Sequence, residues 1–328
     1  MKKGNDDKRG TGELLESAFF LLLPLLCIAS IMRGCSARSA EIPDMVQQTA
    51  TGQQYVTTDT EDTKAVGYTE GSEENTEVSE AAAEEAESVT KEVTVRSNPY
   101  DPSKFSYIDE ISGNITYYDE NYECLQGIDV SDHQGEIDWA AVADAGYDFV
   151  FVRVGYRGYG EEGTLNEDTL AIQYMQDAEK AGLEVGAYFF SQAVSEEEAA
   201  EEARFAADII ERSGVTMTLP LVYDPEFIEG AQGRADNITR EQVSANAKAF
   251  KEAAEEVMKC KTAIYTNLYW ENNYFDKETL NEFEIWYADY EETPQTPYHF
   301  TWWQYSETGT VPGIKGAMDL NLWIRRVD

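Results

Sequence analysis

From about residue 99 onward the chain alternates between two hydrophobic rhythms. Short apolar runs recur at QGIDV (126–130), FVFVRVGY (149–156), EVGAYFFS (184–191), LPLVYD (219–224), TAIYT (262–266), EIWYAD (284–289), TWWQYS (301–306) and AMDLN (317–321). Rich in β-branched and aromatic residues and bounded by turn formers, such runs predict buried strands. Between most of them the apolar spacing becomes helical. Leu170, Ile172, Met175 and Ala178 mark one helix over 167–181. Ser195 with Glu198, and Thr239 with Gln242, are capping-box pairs that open helices running to about Arg212 and Lys259. Eight strand runs interleaved with helices predict an α/β fold. The expected form is a single TIM-like (β/α)-barrel of eight strands with fewer or irregular helices, an open doubly wound sheet being the alternative.

Two segments of different character precede the barrel. In residues 1–40, Lys2, Lys3, Lys8 and Arg9 lead into an uncharged run, SAFFLLLPLLCIASIM, closed by Arg33. This predicts a signal peptide or a transmembrane anchor, and hence an extracytoplasmic protein, secreted or membrane-tethered. Arg33 stands where a lipobox needs a small or apolar residue, which argues against lipidation of Cys35. Residues 41–98 are rich in Glu, Thr, Ser and Ala without an apolar stripe, and predict a disordered acidic stalk. Residues 99–328 are then the barrel.

Charge narrows the function. Of 328 residues, 63 are acidic and 25 basic, a formal net charge of -38, which excludes the basic footprint that nucleic acid demands. Contact with a membrane is expected only through the N-terminal segment. His133 and His299 are the only histidines, and no Cys-x-x-Cys pair is present, so neither a zinc site nor a histidine-based triad is supported. Cys124 and Cys260 are the cysteines of the soluble part, and sequence alone does not decide whether they pair.

In a parallel barrel the active site gathers at the C-terminal ends of the strands. Asp129, Asp224, Asp289 and Asp319 fall at or near such ends, and Glu226 follows Asp224 by two residues. If the chain stays extended through Pro225, Asp224 and Glu226 point the same way. Carboxyl groups crowded together divide into a protonated acid and an ionised base or stabiliser, the division that glycoside hydrolysis needs. Aromatic residues lie along the same strands, and sugars stack on such rings. Tyr156, Tyr188, Tyr265 and Trp286, with Gln304 and Asn321 as polar neighbours, are the expected substrate-binding residues. Within WWQY, Trp302 and Gln304 are expected to face one way, and Trp303 and Tyr305 the other.

Together, GIDVSDHQGEIDW (127–139), FVFVRVGY, GLEVGAYFFSQA (182–193), LPLVYDPE (219–226), AIYTN (263–267), WYADY (286–290), WWQYS (302–306) and GAMDLN (316–321) resemble the glycoside hydrolase family 25 lysozymes, in family order and over roughly 122–328. The resemblance implies an N-acetylmuramidase that cuts the β-1,4 bond between N-acetylmuramic acid and N-acetylglucosamine in peptidoglycan strands, with no metal or cofactor, as a monomer. It implies Glu226 as general acid and Asp224 as the residue that orients and stabilises the substrate's 2-acetamido group. Asp129 and Asp319 match the two supporting acids, and Tyr265 and Gln304 match lining positions. Pro225 departs from the family, in which many members carry an aromatic between the acids; this puts subsite preference or rate in doubt. The alternative is a non-catalytic glycan-binding barrel on a membrane stalk, and a weaker one a hydrolase of another amino-sugar polymer such as chitin.

Overall fold

A computed structural model describes residues 93–108, 112–228 and 231–327. The expected leader or anchor, and the stalk up to residue 92, lie outside the described residues. The chain first meets the barrel at Arg96–Asn98, where Ser97 bridges Tyr298 and the Asn98 N–H donates to the Pro297 carbonyl at 2.9 Å.

The elements then run in order. A hairpin of β1 (Phe105–Tyr107) and β2 (Ile115–Tyr117) precedes β3 (Tyr122–Val130), α1 (Trp139–Asp144), β4 (Phe149–Arg157), β5 (Leu165–Glu167), α2 (Ala171–Ala181), β6 (Glu184–Ser191) and α3 (Glu196–Ser213). There follow β7 (Leu221–Pro225), α4 (Arg240–Met258), β8 (Thr262–Asn267), α5 (Leu268–Asn273), α6 (Lys277–Glu282), β9 (Glu284–Ala288), β10 (Trp302–Gly309) and β11 (Met318–Arg326). The sheet runs β3-β11-β10-β9-β8-β7-β6-β4 and closes through β3–β4; β5 hangs on β4 as a short antiparallel flap.

The barrel is therefore closed and eight-stranded, but it is not fully parallel. β11 runs antiparallel to both β10 and β3. The link from β10 to β11 contains no helix and is too short for a crossover, so the chain can only turn back. This reversal moves Asp319 from the expected strand end to a strand beginning. It still reaches the same place, because the start of β11 lies beside the end of β3, with Asp319 opposite Asp129.

The two long capped helices form as their sequences predict. Ser195 accepts from the Glu198 N–H, and α3 ends at Gly214 in the left-handed region (φ 70°). Thr239 accepts from the Gln242 N–H to open α4. Their alanine-rich inner faces, Ala199, Ala203 and Ala206 on α3 and Ala247, Ala253 and Ala254 on α4, are buried and let helices and sheet approach closely. Among the described residues no helix covers the outer faces of β10 and β11. The segment from Tyr100 through the β1–β2 hairpin lies there instead. Tyr100 packs on Phe300 (centroids 4.8 Å apart), and Phe105 meets Trp303 edge-on at 5.3 Å. Cys124 and Cys260 are both free thiols.

Strand alternation sorts the rest. Val150, Val152, Leu221, Tyr223, Tyr287, Trp303 and Tyr305 belong to the outer core under the helices and hairpin. Phe149, Phe151, Val222, Ala263, Trp286 and Trp302 fill the barrel interior. Trp302 and Gln304 thus do face opposite to Trp303 and Tyr305. Gly127 has no Cβ because the Phe149 ring occupies the space one would need.

Candidate active site

The last inward position of nearly every strand is polar. Reading toward the mouth, β3 presents Leu125, Gly127 and then Asp129, and β4 presents Phe149, Phe151 and then Arg153. β7 presents Val222 and then Asp224, β8 Ala263 and then Tyr265, and β10 Trp302 and then Gln304. β11, reversed, presents Trp323, Asn321 and then Asp319. An apolar plug is thereby topped by a polar ring in which Asp129, Asp224 and Asp319 are the acids.

Asp129 is 5% exposed and is held from two sides: its Oδ2 accepts from Gln304 Nε2 and Asn321 Nδ2, each at 2.8 Å. Burial pushes its carboxyl up to about 6, and the two amides pull against that rise. Asp224, also 5% exposed, has a buried Oδ1 without a hydrogen-bond partner among the described residues. Burial, then the charges of Glu226 and Asp129, hold it well above the usual carboxylate range, while Arg153 pulls the other way. Glu226 is lifted to about 7 by burial and by Asp129, opposed by a hydrogen bond with Tyr265. Asp319 is lifted to about 8 by burial and by Asp129, Glu307 and Glu226. The four acids named from the sequence thus share one electrostatic neighbourhood, in which each carboxylate discourages the ionisation of the next.

Asp289, at the end of β9, is not part of this cluster. Its carboxylate accepts from the Tyr287 hydroxyl at 2.8 Å and from the Gln295 and Glu291 N–H groups, and so shapes its own loop.

The six residues expected to bind substrate separate by depth. Tyr265 and Tyr188 stand at the mouth; the Tyr265 hydroxyl donates to Gln304 Oε1 at 2.8 Å. Tyr188 feels Asp129, Arg153, Asp224 and Asp319. Tyr156 lies beside the Arg153 guanidinium, which sits 5.3 Å from its ring centroid. Gln304 is 5% exposed and bridges Asp129, Tyr265 and Tyr290, whose hydroxyl donates to its Oε1 at 2.9 Å. Trp286 and Asn321 lie beneath the acids. Trp286 stacks on Phe151 at 4.6 Å, and its indole N–H donates to Asn321 Oδ1 at 2.7 Å. Asn321 donates to Asp129 Oδ2, and Trp286 reaches that acid only through Asn321.

Arg153 was not anticipated. Its Nε donates to Asp168 Oδ2 and its Nη2 to Asp132 Oδ1, both at 2.9 Å. Burial works against its charge, but Tyr188, Asp168 and Asp132 outweigh it and keep the group cationic. A register shift between Arg153 and Gly155 interrupts the β4–β6 pairing just there, as bulges beside active sites do. The signal was present in FVFVRVGY: an arginine with the same strand parity as two interior phenylalanines must point into the barrel. Tyr290 was also passed over, and it reaches the site from a loop.

Residues 128–314 match the family model described as glycosyl hydrolases family 25. Among characterised proteins, the chain is 30% identical over 204 residues to lysozyme M1 of Streptomyces globisporus, covering 60% of this chain and 67% of that one. It is 26% identical over 199 residues to the autolytic lysozyme of Clostridium acetobutylicum, covering 60% of this chain and 55% of that one. The barrel also resembles the modular autolysin of Streptococcus pneumoniae solved with a synthetic peptidoglycan ligand. There the TM-score is 0.56 at 19% identity, over 67% of this chain and 52% of the other, a likeness of fold. The match thus spans only a little over half of the clostridial relative and of the pneumococcal structure.

Proposed function

The chain belongs to the glycosyl hydrolases family 25, and from that premise we propose that it is a peptidoglycan muramidase. It hydrolyses the β-1,4 bond between N-acetylmuramic acid and N-acetylglucosamine, with Glu226 as general acid. The convergence of Asp129, Asp224, Glu226 and Asp319 on one barrel mouth carries this reading.

Protonation of the glycosidic oxygen needs a carboxylic acid that still holds its proton near neutral pH. Glu226, lifted to about 7, meets that need. Asp224 sits deeper, with one oxygen to which none of the described residues donates, and is the acceptor for the substrate's acetamido N–H. As positive charge builds on the sugar ring, it offsets the mutual repulsion of the acids around it. Asp129, fixed by Gln304 and Asn321, and Asp319 opposite it set the field in which Glu226 and Asp224 work. Tyr188, Tyr265 and Tyr156 line the path of the glycan. The protein acts outside the cytoplasm, tethered or released by its N-terminal 40 residues and spaced from them by the residues from 41 to about 94, since Val95 to Asn98 already join the barrel.

The test is digestion of purified peptidoglycan by the full-length chain and by Glu226→Gln, followed by borohydride reduction and mass spectrometry of the new ends. Reduced muramic acid ends from the parent are expected, and the variant should release them about 10²–10⁴-fold more slowly. Reduced glucosamine ends, or intact glycan that merely binds the protein, would overturn the reading.

A further inference from the structure

Glu226 lies one residue past the end of β7. Pro225, the last residue of β7, stands opposite Ser191 of β6, and the N–H it lacks would point to the β8 side, as the Leu221 N–H does toward the Lys261 carbonyl; pairing with β8 ends at Tyr223. Beyond it, the Glu226 carbonyl accepts from Nε2 of Gln192, which also reaches the Ser191 carbonyl at 3.2 Å. Gln192 is 1% exposed and is itself held. Its own carbonyl accepts from Arg234 Nη1 at 3.1 Å, and the Arg234 fork grips Glu198 at 2.7 and 2.8 Å. The Arg234 N–H donates to the Tyr159 carbonyl at 3.0 Å. Its guanidinium lies where a Cβ on Gly163 would stand, at a residue whose φ of +54° already favours glycine. Arg234 therefore joins its own loop, between β7 and α4, to the β4–β5 flap and to the β6–α3 turn.

The charge arrangement is selective. An arginine aimed at Glu226 would strip its proton. Here Glu198 takes up the cation, and it is the neutral amide of Gln192 that donates to the Glu226 carbonyl. The titratable groups that do face Glu226 are Asp129 on β3, Asp224 on β7, Tyr265 on β8, Tyr290 after β9 and Asp319 on β11.

We propose that Gln192 and Arg234 are positioning residues: an amide–guanidinium clamp that sets the height of Glu226 over the barrel mouth where the β6–β7 pairing ends. The proposal rests on the reading of Glu226 as general acid.

The experiment labels the full-length protein with carboxyl-¹³C glutamate and identifies the Glu226 resonance by its loss in Glu226→Gln. Its titration midpoint is followed in the parent, in Gln192→Met (similar in size, without a donor) and in Arg234→Lys (charge kept, fork lost). Melting temperature, and kcat and KM on soluble glycan fragments, are measured alongside. In Gln192→Met the loosened carboxyl gains water, so its midpoint should fall by about one unit from its starting value near 7. The same variant should lose about tenfold in kcat, with KM held within about twofold. Arg234→Lys should show the same changes at smaller size, and it decides the matter if Gln192→Met does not fold. A folded variant with midpoint and kcat unmoved overturns the clamp, whatever the parent cuts. A shifted midpoint in a protein that releases no sugar ends supports the clamp and overturns the muramidase reading instead.

Discussion

Glu202 on α3 and Glu226 beyond β7 are both carboxyl groups that desolvation lifts to about 7, yet their surroundings are opposite in kind. Glu202 is fully buried between the Arg157 Nε at 2.7 Å and the Ser191 hydroxyl at 2.6 Å. Every oxygen has a donor, and the donors are themselves fixed: Arg157 also reaches the Gly163 and Glu198 carbonyls and Glu201. Around Glu226 the neighbours are more acids and tyrosines, and the Arg153 guanidinium, which pulls on Asp224, is spent on Asp132 and Asp168. One region satisfies a buried charge and thereby holds the fold together. The other leaves buried acids in want of a partner, which a reacting sugar can supply. A partnered acid should therefore be needed for stability, and an unpartnered one for turnover at stability's expense.

The largest effect that would break this contrast concerns Glu202. Glu202→Ala leaves the Arg157 guanidinium buried without its main partner and should lower the unfolding free energy by about 3–5 kcal/mol. The protein that remains folded should keep its kcat. Denaturant unfolding that shows less than about 1 kcal/mol lost would make the two regions equivalent. Asp224→Asn is the mirror experiment. It should cut kcat by about 10²–10³-fold while raising the unfolding free energy by about 1 kcal/mol, since it relieves crowded carboxyl groups. A melting temperature below the parent's would count against it.

The smallest effect is the pH dependence of stability. Folded-state values of about 7 for Glu226 and about 8 for Asp319 lie above those of an unfolded chain, so the folded protein holds protons that the unfolded one has lost. The stabilisation is complete below the unfolded values near 4 and fades as pH rises through 7 and 8. The melting temperature should fall over that window, and by less in Asp319→Asn. Equal slopes for parent and variant would remove Asp319 from the cluster.

Much of this was legible in the chain. Strand parity placed Trp302 and Gln304 against Trp303 and Tyr305, and placed Asp129, Asp224 and Glu226 at strand ends, because a period of two is a local property. Depth is not local. Nothing in AMDLN or EIWYAD says that Asn321 and Trp286 would lie under the acids, since that depends on how eight strands are staggered around the barrel. The reversal of β11 escaped for a similar reason: its apolar run reads the same in either direction, and only the helix-free link from β10 hints at a turn back. Gln192 and Arg234 gave no signal at all, because their partnership joins loops that are distant in sequence.

The plug of Phe149, Phe151, Trp286 and Trp302 has a consequence for traffic. The barrel is a vessel with one opening: nothing threads through it, and whatever enters must leave by the same side. A long polymer must therefore meet the acids from that one side, by laying its middle across the rim or by presenting an end to it, and it cannot slide through the barrel.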